Sequence, residues 1–123
     1  MNLLLDTPAL IWWDEGRRLP AATRRAIQEA ETVYVSAASA WEIAIKTSLG
    51  RLRPRRTLAQ AIADSGFTEL PITIAHAELV ASLPPHHRDP FDRILIAQAQ
   101  SEDVPIVTRD PAFSAYHVRV IAI

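Results

Sequence analysis

The sequence predicts an α/β fold, a three-layer sandwich in which helices cover both faces of a mainly parallel sheet. Short apolar or β-branched segments alternate with helix-like segments along all 123 residues, which is the pattern of such folds. Hydrophobic residues make up 49% of the chain and charged residues 22%, as in ordinary globular domains. A chain of this length suits one compact domain with one sizeable core, and we expect it to span residues 1–123.

The first half of the chain contains two predicted strands and two predicted helices. Asn2–Asp6 is a short apolar run that ends in an acid, as a buried strand would. Pro20–Glu31 has helical composition, with proline at the first position, where its missing N–H costs nothing. Thr32–Val35 is β-branched and aromatic and predicts a second strand. Ser36–Leu49 predicts a helix that ends at Gly50.

The middle of the chain predicts two further helices around a short strand. Thr57 and Gln60 form a capping-box pattern, which opens a helix that ends near Gly66. Phe67–Ile72 predicts the strand, and Thr73–Leu83 predicts a helix capped by its threonine.

The last third begins with a strong helix-start signal. Asp89 is followed by proline, and an acid stands three residues after it, so we expect a capped helix that runs to about Glu102. Val104–Thr108 and Val118–Ile123 are strand-like. A short turn or helix around Pro111–Ala115 separates them.

Composition excludes several chemistries. With no cysteine, the chain has no disulfide framework, no thiolate zinc site and no cysteine nucleophile. With three glycines, it has no phosphate-binding P-loop and no dinucleotide fingerprint. Histidines His76, His86 and His87 lack zinc-binding spacing, and we expect them at the surface or in packing.

The sequence indicates a cytoplasmic protein. Its first residues lack the basic head and long apolar stretch of a signal peptide. No apolar run approaches the ~18 residues that a membrane span needs.

Four acids stand at element ends or in apolar surroundings. Asp6 and Asp110 follow predicted strands, and ligands of such folds gather at the carboxyl ends of strands. Glu42 lies among small and apolar residues of a helix, and Asp92 lies in the first turn of another. Gathered together, these carboxylates would repel one another unless a cation neutralised them, and Mg²⁺ or Mn²⁺ suits an all-oxygen site. Taken one at a time, Asp6 and Asp110 could be turn residues after strands, and Asp92 could cap a helix as Asp89 does. Glu42, on an apolar helix face, is the hardest of the four to explain in this way.

Arginine dominates the basic residues of a nearly neutral chain. The net charge is −1, with 13 basic and 14 acidic residues, and Lys46 is the only lysine. Four arginines fall within six residues, and they form either a solvated loop or a local phosphate-binding patch. They are Arg51, Arg53, Arg55 and Arg56.

Four blocks of the sequence stand out together: Leu3–Trp13, Val35–Lys46, His87–Ala99 and Ile106–Asp110. In their order and spacing they resemble the PIN-domain ribonucleases, specifically the VapC toxins of type II toxin–antitoxin pairs. Together they extend the resemblance over the whole chain. One departure is Pro8, which stands where many relatives have histidine.

The resemblance implies a Mg²⁺-dependent endoribonuclease, with Mn²⁺ as an alternative metal. Asp6, Glu42 and Asp92 would hold metal directly or through water, and Asp110 would complete the acidic pocket. Two threonines would orient these carboxylates by hydrogen bonds. They are Thr7 and Thr108.

The resemblance also implies partners: a cognate antitoxin across the active-site groove, an RNA substrate that is frequently transfer RNA, and a second copy in a homodimer. Three tryptophans are either walls of the antitoxin groove or core residues. They are Trp12, Trp13 and Trp41. Four further arginines would join the Arg51–Arg56 patch in guiding RNA towards the acidic centre. They are Arg17, Arg18, Arg24 and Arg25.

Two other functions fit the same residues. One is a catalytically silent PIN-like module that binds RNA or a protein partner. The other is a metal-dependent phosphatase or DNA nuclease that uses the same pocket.

Overall fold

A computed structural model describes residues 1–16 and 19–123 of the chain. The strands in these ranges are β1 (Asn2–Leu5), β2 (Thr32–Ser36), β3 (Thr68–Leu70), β4 (Ile106–Thr108) and β5 (Val120–Ala122). The helices are α1 (Thr7–Glu15), α2 (Ala21–Glu29), α3 (Ala37–Ser48), α4 (Leu58–Ser65), α5 (Ile74–Val80) and α6 (Pro90–Glu102). A 3₁₀ helix spans Pro111–Ala115.

The strands form one sheet in the order β3-β2-β1-β4-β5, and every pairing is parallel. In the register of this sheet, Leu5 of β1 lies opposite Val35 of β2 and Val107 of β4. The predicted parallel α/β fold is confirmed.

The strand order contains one reversal of direction. The chain adds β2 and then β3 on one side of β1, and α5 and α6 then return it to β4 on the other side. Parallel α/β sheets bind ligands at such a switch point, outside the carboxyl ends of the two strands. The fold therefore directs attention to the residues that follow β1 and β4.

Both faces of the sheet are covered, which confirms the three layers. On β1, Leu4 packs on one face into a core with Leu95 of α6. Leu3 and Leu5 point to the opposite face, into a second core with Ile27 of α2. Because successive side chains of a strand alternate between faces, a strand buried on both faces reads as the continuous apolar run seen here.

Helix α1 is the element that the sequence patterns did not predict. Asp6 caps it, since its Oδ1 accepts a hydrogen bond from the N–H of Ala9 at 2.9 Å. The helix ends at Gly16, which takes the left-handed backbone conformation with φ of 72°. Apolar residues are spread around this helix without a clear face, so helical periodicity is weak, although the acid and the proline near its start mark a helix beginning.

The other helices begin where the sequence predicts. Thr57 and Thr73 form capping boxes at the starts of α4 and α5. Asp89 caps α6 and accepts hydrogen bonds from the N–H groups of Phe91 and Asp92. Among residues 1–16 and 19–123, no helix is both long and apolar enough to cross a membrane.

Candidate acidic metal site

Asp6 and Asp110 meet at the switch point of the sheet. Asp6 directly follows β1 and is 3% exposed, and its N–H donates to the carbonyl of Val107 on β4 at 3.1 Å. Thr108 Oγ1 accepts from the N–H of Asp110 at 3.0 Å, and the Thr108 side chain lies near enough to Asp6 to lower its pKa. Thr108 thus adjoins both acids, and the role expected for it, orienting the carboxylates, stays a prediction.

Glu42 brings a third carboxylate to this edge from α3. Ser36, at the end of β2, caps α3 through its side chain, and Glu42 lies in the second turn. The Glu42 side chain is 13% exposed, and its Oε2 accepts from Nζ of Lys46 at 3.1 Å. Its Oε1 is the buried side-chain oxygen that lacks a hydrogen-bond partner among the described residues.

Three of the four predicted acids share one cavity, and the fourth lies near it. Asp6, Asp92 and Asp110 line one cavity of about 330 Å³. The Glu42 carboxylate lies close enough to act electrostatically on both Asp6 and Asp92. Residues that are far apart in sequence therefore form one acidic group, which is hereafter called the acidic site.

Burial and mutual repulsion disfavour ionisation of two of these acids. Burial is the main cause that raises the pKa of Asp6 to about 6, and Asp110 and Glu42 add to the effect. Burial likewise raises the pKa of Asp92 to about 7, with a further contribution from Asp89. By contrast, the N–H of Ala112 lowers the pKa of Asp110, because it donates to the carboxylate at 2.9 Å.

The expectation for His87 is wrong, because this side chain belongs to the acidic site. Its Nε2 lies 3.0 Å from Oδ2 of Asp92 and 2.9 Å from Oδ2 of Asp110. His76 does serve packing: it is 1% exposed, and it caps α5. Zinc-binding spacing does not identify His87. The sequence signal for its role is its position two residues before the helix cap Asp89, close to the predicted acids.

Thr7 has a different partner from the one expected. Its hydroxyl donates to Oγ of Ser39 at 3.0 Å, and both side chains are buried. Neighbouring residues at a helix start point in different directions, so Thr7 does not follow Asp6 into the site. The bond ties α1 to α3, three residues before Glu42, and so braces two of the helices that border the site.

Trp12 and Arg109 form one wall of the cavity, beside Pro8. The Arg109 guanidinium lies over the Trp12 ring, with Cζ 5.7 Å from the ring centroid. Arg109 is exposed, and it is a further residue that the sequence patterns missed; its position between β4 and Asp110 was the signal for it. An exposed cation beside an acidic cavity can contact a phosphate group.

The other two tryptophans lie in different surroundings. Trp13 packs against Phe67, with ring centroids 5.6 Å apart, and its Nε1 donates to Oγ of Ser65. Trp41 is 63% exposed and meets the ring of Phe91 edge-on at 5.2 Å. Of the three predicted groove residues, Trp12 lines the cavity and Trp13 contributes to packing. Trp41 is exposed on α3, directly before Glu42.

The predicted arginine patch divides into exposed members and a paired one. Arg56 donates through Nε and Nη2 to Asp14 at 2.9 and 2.7 Å, and through Nη1 to Asp64 at 2.6 Å. It therefore joins its loop to α1 and α4. The exposed members are Arg51, Arg53 and Arg55.

The four further arginines expected to guide RNA also differ from one another. Arg17 and Arg18 lie outside the described residues. Arg24 lies over the Trp13 ring, 5.5 Å from its centroid, and Arg25 is exposed.

The acidic site fits a hard divalent cation. The atoms that the site offers to a metal are carboxylate oxygens, which Mg²⁺ and Mn²⁺ prefer as ligands. Glu42 Oε1 is a buried acceptor without a partner in the described part of the chain, and such an atom is costly unless something binds it. Burial raises the pKa values of Asp6 and Asp92, and repulsion from neighbouring carboxylates adds to the rise. A cation bound here would give Glu42 Oε1 a partner and would lower the free-energy cost of ionising Asp6 and Asp92.

Comparisons with known proteins concern the sequence family and the fold of this chain. The sequence model of the PIN domain family matches residues 3–118. Ribonuclease VapC22 of Mycobacterium tuberculosis (strain ATCC 25618 / H37Rv) is 30% identical to this chain over 131 residues, which cover 99% of this chain and 98% of the relative.

Solved structures of similar fold include DNA-bound VapBC from Salmonella typhimurium, with a TM-score of 0.74 and 18% identity. VapBC2 from Rickettsia felis, bound to a DNA fragment from its promoter, has a TM-score of 0.70 and 11% identity. Each match covers 99% of this chain and 98% of the other. At these identities the structures support the fold.

Proposed function

This chain belongs to the PIN domain family, and on that premise we propose that it is a metal-dependent endoribonuclease, the toxin of a type II toxin–antitoxin pair. The observation that carries the proposal is the acidic site, where Asp6, Asp92 and Asp110 line one cavity and Glu42 acts electrostatically on two of them. The similarity to Ribonuclease VapC22 supports RNA as the substrate.

Three residues would hold Mg²⁺ or Mn²⁺: Asp6, Glu42 and Asp92. When bound, the cation supplies Lewis-acid stabilisation of the charge that develops on the scissile phosphate, and it activates water for attack. The protein fixes these carboxylates through the N–H of Ala9, which holds Asp6, and through the cap Asp89, which starts the helix that carries Asp92. Asp110 completes the site.

Arginines compensate for the repulsion between RNA and the acidic site. Arg109, on the cavity wall, is placed to pair with a phosphate next to the scissile one. Exposed arginines of the loop add long-range attraction, which raises the local concentration of RNA. They are Arg51, Arg53 and Arg55. Transfer RNA is the first substrate to test.

An antitoxin partner follows from the similarity to VapBC complexes. A cationic side chain of such a partner would satisfy the excess negative charge of the acidic site, and Trp12 presents aromatic surface in the same cavity. Trp41 is a second exposed aromatic side chain, on α3. Inhibition by this partner predicts that RNA cleavage stops at one equivalent of antitoxin. The homodimer is also proposed, and light scattering of the purified chain checks it.

The direct test is calorimetric titration of Mn²⁺ into the wild type and into Asp6→Asn and Asp92→Asn. Binding in the wild type and its loss in both variants is the expected result, with circular dichroism showing that both remain folded. Glu29→Gln, which changes an exposed acid of α2, is the matched control and should bind as the wild type does. A wild type that binds no Mn²⁺, even with RNA present, would refute the metal-dependent nuclease and leave the silent binding module.

The substrate class needs a second experiment. Cleavage of folded RNA, duplex DNA and a small phosphoester is compared at equal Mn²⁺, with Asp6→Asn as the inactive control. We expect cleavage of RNA alone, and a preference for either of the others would identify the DNA nuclease or the phosphatase.

A further inference from the structure

His87 is held in one orientation by three contacts. Its Nδ1 accepts a hydrogen bond from the N–H of Asp89 at 3.1 Å. Its ring meets Phe113 edge-on, with centroids 5.8 Å apart. The backbone N–H of His87 donates to the Tyr116 hydroxyl at 2.8 Å. The imidazole therefore has little freedom to rotate.

The segment before His87 is anchored by an arginine that bonds to carbonyls. Arg93 of α6 donates through Nη2 to the carbonyls of Val80 and Leu83, at 3.0 and 3.3 Å. Through Nη1 it donates to the carbonyls of Pro84 and His87, at 3.0 and 3.3 Å. These bonds fix the backbone from which the imidazole reaches the acidic site.

The contact at Nδ1 decides which nitrogen carries the hydrogen. A ring nitrogen that accepts from a backbone N–H has no hydrogen of its own, so in His87 the hydrogen is on Nε2. Nε2 lies within 3.0 Å of Oδ2 of both Asp92 and Asp110. The N–H is directed at Asp110, to which Nε2 is hydrogen-bonded, and the Asp92 carboxylate lies in contact with the same nitrogen.

The two carboxylates differ in what remains free. On Asp110, Oδ1 accepts from the N–H of Ala112 and Oδ2 accepts from His87, so each of its oxygens already has a donor. On Asp92, the oxygen towards His87 is Oδ2, which leaves Oδ1 for another partner. The arrangement makes Asp110 an anchor and Asp92 a ligand.

We propose that His87 is a positioning residue of the acidic site: its Nε2–H donates to Asp110 while the same nitrogen contacts Asp92, and this keeps the two carboxylates side by side and so sets the affinity for a divalent cation. This inference rests on the proposed function. His87 does not bind the cation, because its hydrogen stays on Nε2. Loss of a partner that orients a metal ligand typically costs 10–100-fold in affinity, and we expect a loss of that size here.

Two substitutions separate the hydrogen-bond donor from the ring. His87→Gln places an amide N–H near the position of Nε2, whereas His87→Asn reaches only as far as Nδ1. Calorimetric titration with Mn²⁺ should give His87→Gln an affinity within about threefold of the wild type, and His87→Asn a loss of about tenfold or more. His86→Asn is the matched control, since His86 is the exposed neighbour, and it should bind as the wild type does.

A second measurement follows the hydrogen itself. In the wild type with ¹⁵N-labelled histidine, NMR should show His87 protonated at Nε2, and this proton should persist when Mg²⁺ is added. This readout needs no variant, so it remains decisive if His87→Asn fails to fold.

Several results would overturn the inference: unchanged affinity in His87→Asn, an equal loss in His87→Gln, protonation at Nδ1, or loss of the Nε2 proton on Mg²⁺ addition. In each case Mn²⁺ binding by the wild type would leave the proposed function intact. A wild type that binds no Mn²⁺ would refute both.

Discussion

The acidic site and the Arg56 cluster use the same kinds of charged side chain in opposite ways. In the Arg56 cluster, one guanidinium lies between Asp14 and Asp64, and hydrogen bonding to Asp14 raises the pKa of Arg56. In the acidic site, burial raises the pKa of Asp6 and Asp92, so that their charged forms are disfavoured.

The difference separates a structural use of charge from a functional one. A cluster whose charges are paired joins elements of the fold and needs no ligand to balance its charge. A cluster in which buried carboxylates outnumber their cationic partners has a free-energy cost that a bound cation can remove. On this reading, changes in the acidic site alter binding and spare the fold, whereas changes in the Arg56 cluster do the reverse.

The largest expected effect is that of Glu42→Gln. This change removes the charge of the buried oxygen that lacks a partner, and we expect Mn²⁺ affinity and RNA cleavage to fall by about 100-fold or more. The melting temperature without metal should not fall, because a repelling charge has been removed. A variant that melts at a much lower temperature and keeps its Mn²⁺ affinity would contradict the functional role assigned to the charge of Glu42.

Next in size is the pH dependence of stability without divalent cations. Folded Asp6 and Asp92 keep protons that the unfolded chain releases near pH 4, so their stabilising contribution is present at low pH and is lost as pH rises through about 6 and 7. At pH 8, Asp92→Asn should be more stable than the wild type by on the order of 1–2 kcal/mol, a value reduced for the partial exposure of this carboxylate.

Urea unfolding in EDTA at pH 5 and pH 8 measures this effect. The lowered pKa of Asp110 acts with the opposite sign, and only below about pH 4, outside this range. An Asp92→Asn variant that follows the wild type at both pH values would contradict the assignment of uncompensated charge, and Glu29→Gln is again the control.

A smaller effect is expected for Arg56→Ala. The variant leaves Asp14 and Asp64 without their shared partner, so the melting temperature should fall by a few degrees. Mn²⁺ affinity should change less than about twofold, because the acidic site is not part of this cluster. Thermal melts and calorimetry of the same sample check both halves of the prediction, and a large loss of Mn²⁺ affinity would show that the two regions are coupled.

The smallest effect concerns the exposed arginines. Arg53→Gln and Arg55→Gln should each weaken RNA binding a few-fold and reduce the salt dependence of log K by about one. Binding is measured by fluorescence anisotropy at several salt concentrations, with Asp6→Asn as the background to prevent cleavage. Arg119→Gln, an arginine paired with Asp103 away from the acidic site, is the control, and an equal loss there would indicate a non-specific charge effect.

Local signals in the sequence predicted much of the fold, with element ends off by a few residues. The strand predicted over Val104–Thr108 begins at Ile106, and that predicted over Val118–Ile123 is Val120–Ala122. The strand predicted over Phe67–Ile72 is Thr68–Leu70. The end of a strand depends on where the neighbouring strand stops, and local sequence patterns do not contain that information. Helix α1 was missed because its apolar residues show no clear face.

By itself, the sequence determined the layered α/β architecture, the caps of three helices and the placement of Asp6 and Asp110 after strands. These features follow from local chemistry: alternation of apolar segments, side chains that accept from backbone N–H groups, and the end of a hydrophobic run. For the same reason the four acids of the site could be chosen, although not shown to meet.

Only the tertiary structure decided which of the chosen residues share a site. The strand order brings β4 beside β1, and this pairing, not any local motif, places Asp110 near Asp6. The same packing brings His87 to the acids and pairs Arg56 with Asp14. Contacts between distant residues depend on the register of the sheet and on how helices pack across it, because backbone pairing and side-chain burial are properties of the whole chain.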